Sequence, residues 1–405
     1  MDPLRIAVVG VGANENSRAR GYLETIRKLT DFYSLCALCD RTGPVLSGVG
    51  EQFRVKALYD DAERMLSSEK PDVLFVLVPT DGQTAIALTA AHHKVNIITE
   101  IPAAITLSLA DELDTACREN GLKWEIAENV WRWPQEQLKQ QIVADGLLGE
   151  LTHARLSYAS GSYHGINAIR MILSSEARRV MGYAAEVKTQ PYTSVGGELL
   201  STRWWEGGII EFSNGVTCLY EMPTPGARGS HWEIEGTHGY LSGGELVLYR
   251  DPSASRDRRG ELFRQEIQFV NSEIDGESVL DHVRVDTSPP VVWKNPFRRH
   301  KISSPDDVAK ASILYSMYRA ITESADPEYG MANARKDMEL WFAVRESARL
   351  GNQWVELPLA GETQLERQFL NAYQQRYGHS PLSPASLLQT DFDRTSVIWT
   401  EAGWL

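Results

Sequence analysis

Short apolar runs rich in β-branched residues alternate with longer stretches of mixed polarity over the first 130 residues. The runs are typical of buried parallel strands, and the longer stretches are helix-like. This alternation predicts a parallel sheet with helices on both faces. The predicted strands are 4–9, 35–40, 54–58, 72–78, 95–99 and 122–129, and helices are predicted near 17–29, 60–70, 84–93 and 108–120.

Glu100 follows the fifth apolar run and stands directly before Ile101 and Pro102. Proline ends the strand because it cannot donate a hydrogen bond to the sheet. Ligands bind at the carboxyl ends of strands in open α/β sheets, so Glu100 is expected in a ligand crevice. Ser108 and Asp111 have capping-box spacing, which predicts that the next helix starts there.

The pattern changes near residue 150. Strand-like segments with tight turns occupy 151–159, 207–222, 231–250 and 261–270, and their alternation predicts an antiparallel sheet with one covered face. Asn214-Gly215 is a strong hairpin signal. Helices are predicted near 306–323, 331–350 and 363–377, with Gly351 at the C-terminus of the second. The segment 252–300 has the least regular pattern.

The composition argues against several kinds of binding partner. The net charge of −13 argues against nucleic acid and against an anionic membrane surface. No apolar run approaches transmembrane length, and the N-terminal segment resembles a first strand more than a signal peptide. Four cysteines in 405 residues make no disulfide framework, which favours a cytoplasmic location. Cys36 and Cys39 are three apart on a strand and face opposite sides, so no metal site is expected.

Glycines directly follow the first predicted strand. Gly10 and Gly12 let the backbone approach a diphosphate, and the helix beginning near Ser17 offers unpaired N–H groups and a positive dipole end. Ala13 continues this turn. The turn is longer than in the G-x-G-x-x-G pattern, because Glu15 stands where the third glycine would be.

An acidic residue, Asp40, ends the second predicted strand. Its carboxylate can accept hydrogen bonds from a ribose diol and repels a 2′-phosphate. The cofactor is therefore expected to be NAD rather than NADP, although Arg41 next to it softens this preference.

Several motifs in the right order resemble the glucose–fructose oxidoreductase / inositol dehydrogenase / MocA (Gfo/Idh/MocA) superfamily over most of the chain. Beside the glycine turn and Asp40, Pro79-Thr80 resembles the family's T-P-N pattern. Glu100-Ile101-Pro102 follows in the register of its E-K-P motif. Three later segments resemble family segments as well: 147–158, 234–241 and 332–359.

This resemblance implies a Rossmann-type, doubly wound parallel sheet that binds NAD(P), in residues 1–130. It implies an α+β domain in 131–405 with an open-faced, mostly antiparallel sheet, completed by helices within 306–378. A sugar-like small molecule would bind between the domains, and the second sheet would form a homo-oligomer, a dimer or tetramer. The positions expected along the cofactor include Pro79, Thr80, Glu100 and Asn129.

The residues that handle the proton in this family are largely replaced. Ile101 stands where the lysine of E-K-P belongs and can neither donate nor accept a proton. The family's D-x-G-x-H-x-x-D segment corresponds to 160–167, where His164 survives. An imidazole with a pKa of about 6.5 can accept an alcohol proton at neutral pH, so His164 is the expected acid/base. Tyr163 either assists it or simply packs.

Further candidates follow the sixth predicted strand and the His164 motif. Arg132 is expected to face the crevice and bind a substrate anion or hydroxyls, while Trp131 and Trp133 either carry sugar rings or pack between domains. Asn167 and Arg170 are additional candidates for substrate contact.

Three functions stay open at this point. The favoured one, as the superfamily default, is an NAD(P)-dependent oxidoreductase acting on a carbohydrate, polyol or related hydroxy compound. Without the lysine, the charge on the developing alkoxide needs another partner, such as Tyr163, Arg132 or the substrate itself. The second is an NAD⁺-dependent glycoside hydrolase, a branch with E-V-P-like segments, which works by transient C3 oxidation, elimination and re-reduction. The third is a non-catalytic nucleotide-binding protein.

Overall fold

Two large sheets organise the chain, one before and one after residue 130. The structure is a computed structural model and describes residues 2–158, 162–193, 199–222, 230–249, 262–381, 390–393 and 396–399. Within these ranges, no helix is long and apolar enough to cross a membrane.

The N-terminal sheet is parallel and has six strands. They are β1 Leu4–Val9, β2 Tyr33–Cys39, β3 Leu58–Tyr59, β4 Val73–Val76, β5 Asn96–Thr99 and β6 Trp124–Ile126, in the order β3-β2-β1-β4-β5-β6. The helices between them are α1 Arg18–Lys28, α2 Gly43–Phe53, α3 Ala62–Glu69, α4 Thr80–His92 and α5 Leu107–Glu119. The strand order reverses between β1 and β4, which places a crevice at their carboxyl ends. The predicted doubly wound parallel sheet is confirmed.

Two local predictions in this domain are wrong. The strand expected at 54–58 is reduced to β3, because Arg54 adopts a left-handed conformation at the end of α2. Helix α5 starts earlier than the Ser108 cap predicts, since the hydroxyl of Thr106 accepts from Leu109 N at 3.3 Å. A distant contact supports this earlier start: Leu107 N donates to Glu366 at 2.7 Å.

The second sheet has nine described strands and is largely antiparallel. They are β7 Leu151–Ser157, β8 Ala177–Thr193, β9 Leu199–Phe212, β10 Thr217–Met222, β11 His231–Gly236, β12 Gly239–Ser242, β13 Glu245–Tyr249, β14 Leu262–Glu266 and β18 Val355–Glu356. Their order is β14-β13-β12-β11-β7-β10-β9-β8-β18, with β7 and β10 parallel. Asn214-Gly215 forms the β9–β10 turn as predicted, with Gly215 at a φ of +88°.

Helices cover one face of this sheet. They are α6 Pro134–Ala144, α7 Ser162–Leu173 and α9 Met331–Arg349. Strand β8 approaches α9 so closely that a Cβ at Gly182 would lie 1.9 Å from the carbonyl oxygen of Val344. On β8 and β10, Tyr183 and Leu219 are exposed, as an open-faced sheet requires.

The segment 252–300 is more regular than its sequence suggests. Residues 250–261 lie outside the described ranges, but β14 is followed by a three-stranded sheet. Its strands are β15 Gln268–Ile274, β16 Glu277–Val285 and β17 Val291–Lys294. The single strand expected at 261–270 is thus split between two sheets, because Ile267 separates β14 from β15.

The C-terminal helices pack on both parts of the chain. Helix α8, Pro305–Thr322, contacts the N-terminal sheet, where the Tyr33 hydroxyl donates to the carbonyl of Leu314 at 2.7 Å. Helix α10, Gln364–Tyr377, begins with a capping box between Thr363 and Glu366. The predicted helices are confirmed in place, but they also cover the first domain. The division at residue 130 stays a prediction.

Candidate active site

The glycine turn after β1 is packed too tightly for any side chain. Gly10 and Gly12 have φ values of +88° and +77°, which favour glycine. A Cβ on Gly10 would lie 2.4 Å from the carbonyl oxygen of Leu77, and one on Gly12 would lie 1.9 Å from Oγ of Ser17. This Oγ is buried at the start of α1 and has no hydrogen-bond partner in the described part of the chain. The turn and the helix N-terminus form a cradle that fits a diphosphate.

Asp40 at the end of β2 closes this turn. Its carboxylate accepts from Val11 N at 3.0 Å and from Thr42 N at 2.9 Å. Each oxygen has further lone pairs with which to accept from a ribose diol. The neighbouring Arg41 forms an ion pair with Asp391 at 3.0 Å and donates to the carbonyl oxygen of Thr390.

A cavity of about 300 Å³ lies beside the turn. Six predicted cofactor residues line it: Gly10, Gly12, Ala13, Asp40, Arg41 and Pro79. Thr80, a seventh, is the first residue of α4, for which Pro79 is the N-cap. The cavity, the glycine cradle and the carboxylate together fit the adenosine half of a dinucleotide.

Glu100 lies at the carboxyl end of β5 and accepts a hydrogen bond from Nε of Arg18. Its side chain is 17% exposed, so the ion pair borders the crevice. Ile101 is half-buried and packs against the apolar core. The position of the family's lysine is thus a packing position in this chain.

A second group of charges adjoins this pair at the start of α8. Asn129, just after β6, donates to Asp306 at 2.6 Å, and Lys310 pairs with Asp306 at 2.7 Å. Arg18 lies 3.6 Å from the same carboxylate. Burial opposes ionisation of Asp306, but Lys310 and Arg18 outweigh it and lower its pKa. The charged cluster therefore links the ends of β5 and β6 to α8.

His164 is held by a carboxylate that the sequence analysis did not single out. Its Nδ1 lies 3.0 and 2.9 Å from the two oxygens of Glu128, which is fully buried and also accepts from Val130 N at 2.9 Å. Burial lowers the pKa of His164, but the charge and hydrogen bond of Glu128 outweigh it, and the net shift is upwards. A buried acid at a strand end, as in Ala127-Glu128-Asn129, was the available sequence signal, since such an acid requires a partner.

The contact to Glu128 leaves Nε2 of His164 as the nitrogen available for chemistry. The imidazole is 24% exposed. With Nδ1 donating to the carboxylate, the neutral ring presents Nε2 as a proton acceptor. Glu100 and Glu128 follow the neighbouring parallel strands β5 and β6, so the Arg18–Glu100 and His164–Glu128 pairs lie at the same edge of the sheet.

Tyr163 points into the protein. Its side chain is buried, and its hydroxyl lies 3.0 Å from that of Tyr329, which donates to Asp337. Burial and the nearby Asp337 raise its pKa well above the usual value for tyrosine. This geometry favours the packing alternative over participation in proton transfer.

The three predicted substrate contacts are buried in ion-pair networks. Arg132 pairs with Glu125 at 2.6 Å and Glu328 at 2.8 Å, and lies over the ring of Trp131. Asn167 and Arg170 both donate to Asp337 of α9, at 2.8 and 2.6 Å. This packing does not favour the expected contact with a substrate, because each of the three side chains is at most 3% exposed and donates to a buried carboxylate.

No group of side chains suited to a metal ion occurs among the described residues. Ser160 and Gly161 of the motif around His164 lie outside the described ranges, as does the side chain of Ser162.

The glycine cradle, the acid after β2 and the strand order define the first part of the chain as a dinucleotide-binding Rossmann domain. Comparison with known families agrees: residues 4–127 match the Gfo/Idh/MocA family, described as an oxidoreductase family with an NAD-binding Rossmann fold. The predicted resemblance to this superfamily is confirmed, and residues 4–127 match its NAD-binding domain.

Individual relatives extend this likeness. A D-apiose dehydrogenase of Paraburkholderia graminis is 31% identical over 35% of this chain and 38% of its own, so the chain spans about two fifths of that protein's length. A glycosyl hydrolase family 109 protein of Shewanella pealeana is 21% identical over 85% of this chain and 70% of its own. An NAD-binding oxidoreductase structure from Klebsiella pneumoniae has a TM-score of 0.68 at 18% identity, covering 88% of this chain and 99% of its own. The last comparison supports the fold alone.

Proposed function

We propose that the protein is an NAD-dependent oxidoreductase acting on a sugar-like alcohol, with His164 as the acid/base and Glu128 as its partner. The observation that carries the proposal is the Glu128–His164 contact beside the crevice, where a buried carboxylate fixes a partly exposed imidazole. The match to a sugar dehydrogenase supports the substrate class.

Different residues around the crevice would bind different parts of the cofactor. The Gly10–Gly12 turn and the N-terminus of α1 would hold the diphosphate, Asp40 the adenosine ribose, and Glu100 the other ribose. When bound, NAD supplies the nicotinamide ring as the hydride acceptor or donor.

Proton transfer falls to His164. In the oxidation direction its Nε2 removes the hydroxyl proton of the substrate, and the resulting imidazolium is stabilised by Glu128 through Nδ1–H. Because Glu128 raises the pKa of His164, the ring is a stronger base than a solvated histidine. In the reverse direction the same imidazolium returns the proton.

The positive charge that the family's lysine would provide is assigned to Arg18. Its guanidinium is half-exposed beside Glu100 and near His164, whereas Tyr163 and Arg132, the earlier candidates, are buried elsewhere. Burial lowers the pKa of Arg18, but Glu100, Tyr22 and Asp306 outweigh it and raise the value, so the group stays cationic. Arg18 can stabilise a developing alkoxide but cannot accept its proton.

The cellular context is part of the proposal. All four cysteines are free, in keeping with a reducing compartment such as the cytoplasm. The exposed Tyr183 and Leu219 on the open face of the second sheet support a homo-oligomer formed through that face.

A second candidate function is NAD-dependent glycoside hydrolysis. The relative described as a glycosyl hydrolase family 109 protein matches 85% of the chain, whereas the dehydrogenase matches 35% of it. The loss of the lysine at Ile101 agrees with this branch. Against it, elimination and re-addition need a second acid/base besides His164, and the neighbouring Tyr163 is buried.

One experiment separates these functions. The full chain is incubated with NAD⁺ and a panel of sugars, polyols and aryl glycosides, while NADH formation and aglycone release are followed together. Net NADH supports the oxidoreductase, and aglycone release without net NADH supports the glycosidase. Activity in neither channel, with NAD bound, supports the non-catalytic alternative and overturns both enzymatic proposals. His93→Ala is a matched control for His164→Ala, because His93 pairs with Glu63 at the surface at a similar exposure of 26%.

A further inference from the structure

The cavity beside the glycine turn has a wall that comes from the far end of the chain. Besides residues of the Rossmann domain, it is lined by Thr390, Asp391 and Phe392. We call residues 390–393 the C-terminal wall. Inside the site it contacts Arg41, directly after the ribose-binding candidate Asp40.

Arg41 is engaged by this wall. Its guanidinium donates to the carbonyl oxygen of Thr390 and pairs with Asp391 at 3.0 Å. An arginine at the end of β2 is the kind of residue that accommodates the 2′-phosphate of NADP. A carboxylate already paired with it competes with that phosphate and repels it.

The wall is anchored to the domain rather than resting loosely against it. The ring of Phe392 lies so close to Gly82 that a Cβ there would be 2.6 Å from the ring, and it meets Tyr377 edge-on at 5.3 Å. Tyr377 in turn donates to Asp81, in the first turn of α4, at 2.8 Å.

The chain after the wall is fastened at the same place. The buried carboxylate of Asp81 accepts from the hydroxyl of Ser396 and from Val397 N, and the side chain of Val397 is buried. Helix α4 begins at Thr80, next to Pro79 in the cavity. The anchor and the cofactor cavity therefore share one turn of helix.

We propose that the C-terminal wall selects the cofactor, with Asp391 as a specificity-determining residue that holds Arg41 and so favours NAD over NADP. Phe392 completes the wall of the adenosine cavity and slows release of the nucleotide. The proposal rests on dinucleotide binding by the Rossmann domain and extends it to a segment about 350 residues further along the chain.

The test measures bound nucleotide rather than activity. The full chain is equilibrated with NAD⁺ and NADP⁺ at equal concentrations, each in excess over the protein. Free nucleotide is then removed, and the bound nucleotides are extracted and quantified. Asp391→Ala is expected to shift the bound NADP-to-NAD ratio upwards by at least about threefold, the scale of one exposed ion pair. Asp393→Asn is the matched control, because it also removes a negative charge from this segment. Asp393 pairs with Arg376, and neither residue lines the cavity.

Arg41→Ala shows whether the effect runs through the proposed pair. In that background, Asp391→Ala should no longer change the ratio. Phe392→Ala should speed the loss of bound NAD on dilution. If the wild type binds NAD and the Asp391 variant leaves the ratio unchanged, or Asp393→Asn changes it equally, this inference is overturned while the proposed function stands. If the wild type binds neither nucleotide, both are overturned.

Discussion

Nδ1 of His164, on α7, lies 2.9 and 3.0 Å from the carboxylate oxygens of Glu128, which follows β6. The contact joins the second half of the chain to the edge of the first sheet. The fully buried Glu128 fixes the orientation of the imidazole through this contact. Its charge and its hydrogen bond also raise the pKa of His164. One carboxylate thus sets both the direction and the strength of the proposed base.

Glu128→Gln keeps the shape of that contact but removes its charge. Burial and Arg18, which lower the pKa of His164, would then act without opposition from Glu128. We expect the acid limb of the oxidation rate to move to lower pH, because the neutral imidazole forms more easily. The maximal rate should fall by roughly 10- to 100-fold, since the imidazolium loses its partner. The measurement is the pH profile of kcat, with Glu63→Gln as control; an unshifted profile would contradict the assigned role.

The same pair predicts how stability depends on pH. The folded-state pKa of His164 is raised, so protonation favours the folded state. This contribution is fully present below the unfolded value of about 6.5 and is lost as pH rises through the folded-state pKa. The free energy of unfolding of the wild type minus that of His164→Gln should therefore be larger at about pH 5.5 than at about pH 9. Urea unfolding at both pH values measures it, and a constant difference would show that the pair does not couple to folding.

Arg18→Met removes the cation assigned to the developing alkoxide. The loss should lower kcat by roughly 10- to 1,000-fold, in the range of lost electrostatic stabilisation in an active site. Arg18→Lys, which keeps the charge, should restore part of the rate. Bound NAD, quantified after gel filtration, should change little in either variant. A fall in NAD binding with kcat unchanged would assign Arg18 to the cofactor instead.

Tyr163→Phe distinguishes a packing residue from a catalytic one. Among the described residues, the hydroxyl contacts two buried groups, the hydroxyl of Tyr329 at 3.0 Å and the carbonyl of Ala334 at 3.5 Å. Its removal should lower the free energy of unfolding by about 0.5–1.5 kcal/mol and leave kcat within about twofold of the wild type. A large loss of kcat with unchanged stability would return Tyr163 to the proton-transfer machinery.

The parts of the fold that could be predicted are those specified locally. Most strands of the first sheet, the glycine turn and the Asn214-Gly215 hairpin depend on nearby residues, and they lie where the sequence predicts them. The site is less local. Glu128 and His164, which form a hydrogen bond, are 36 residues apart in the sequence. Arg170 and Asp337, which form another, are 167 residues apart. Such pairings follow from the packing of helices, which no spacing in the sequence encodes.

The same limit applies to the arginines near the crevice, for which the sequence predicts contact with a substrate. Arg132 follows β6 as expected, but its ion pairs with Glu125 and Glu328 hold the side chain in the interior. Arg18, the first residue of α1, belongs to no motif and is the residue whose guanidinium donates to Glu100. Residue type and position predict that an arginine lies near the crevice. Which arginine borders the crevice depends on where the carboxylates lie in the folded chain.

The most direct test of the account is a single-turnover measurement of NADH formation by His164→Ala on a substrate that the wild type oxidises. With NAD bound to the same extent as in the wild type, the rate should fall by at least about 100-fold, the lower range of general acid–base catalysis. His93→Ala should match the wild type. A rate for His164→Ala equal to that of the wild type would remove His164 from the mechanism and contradict the central claim.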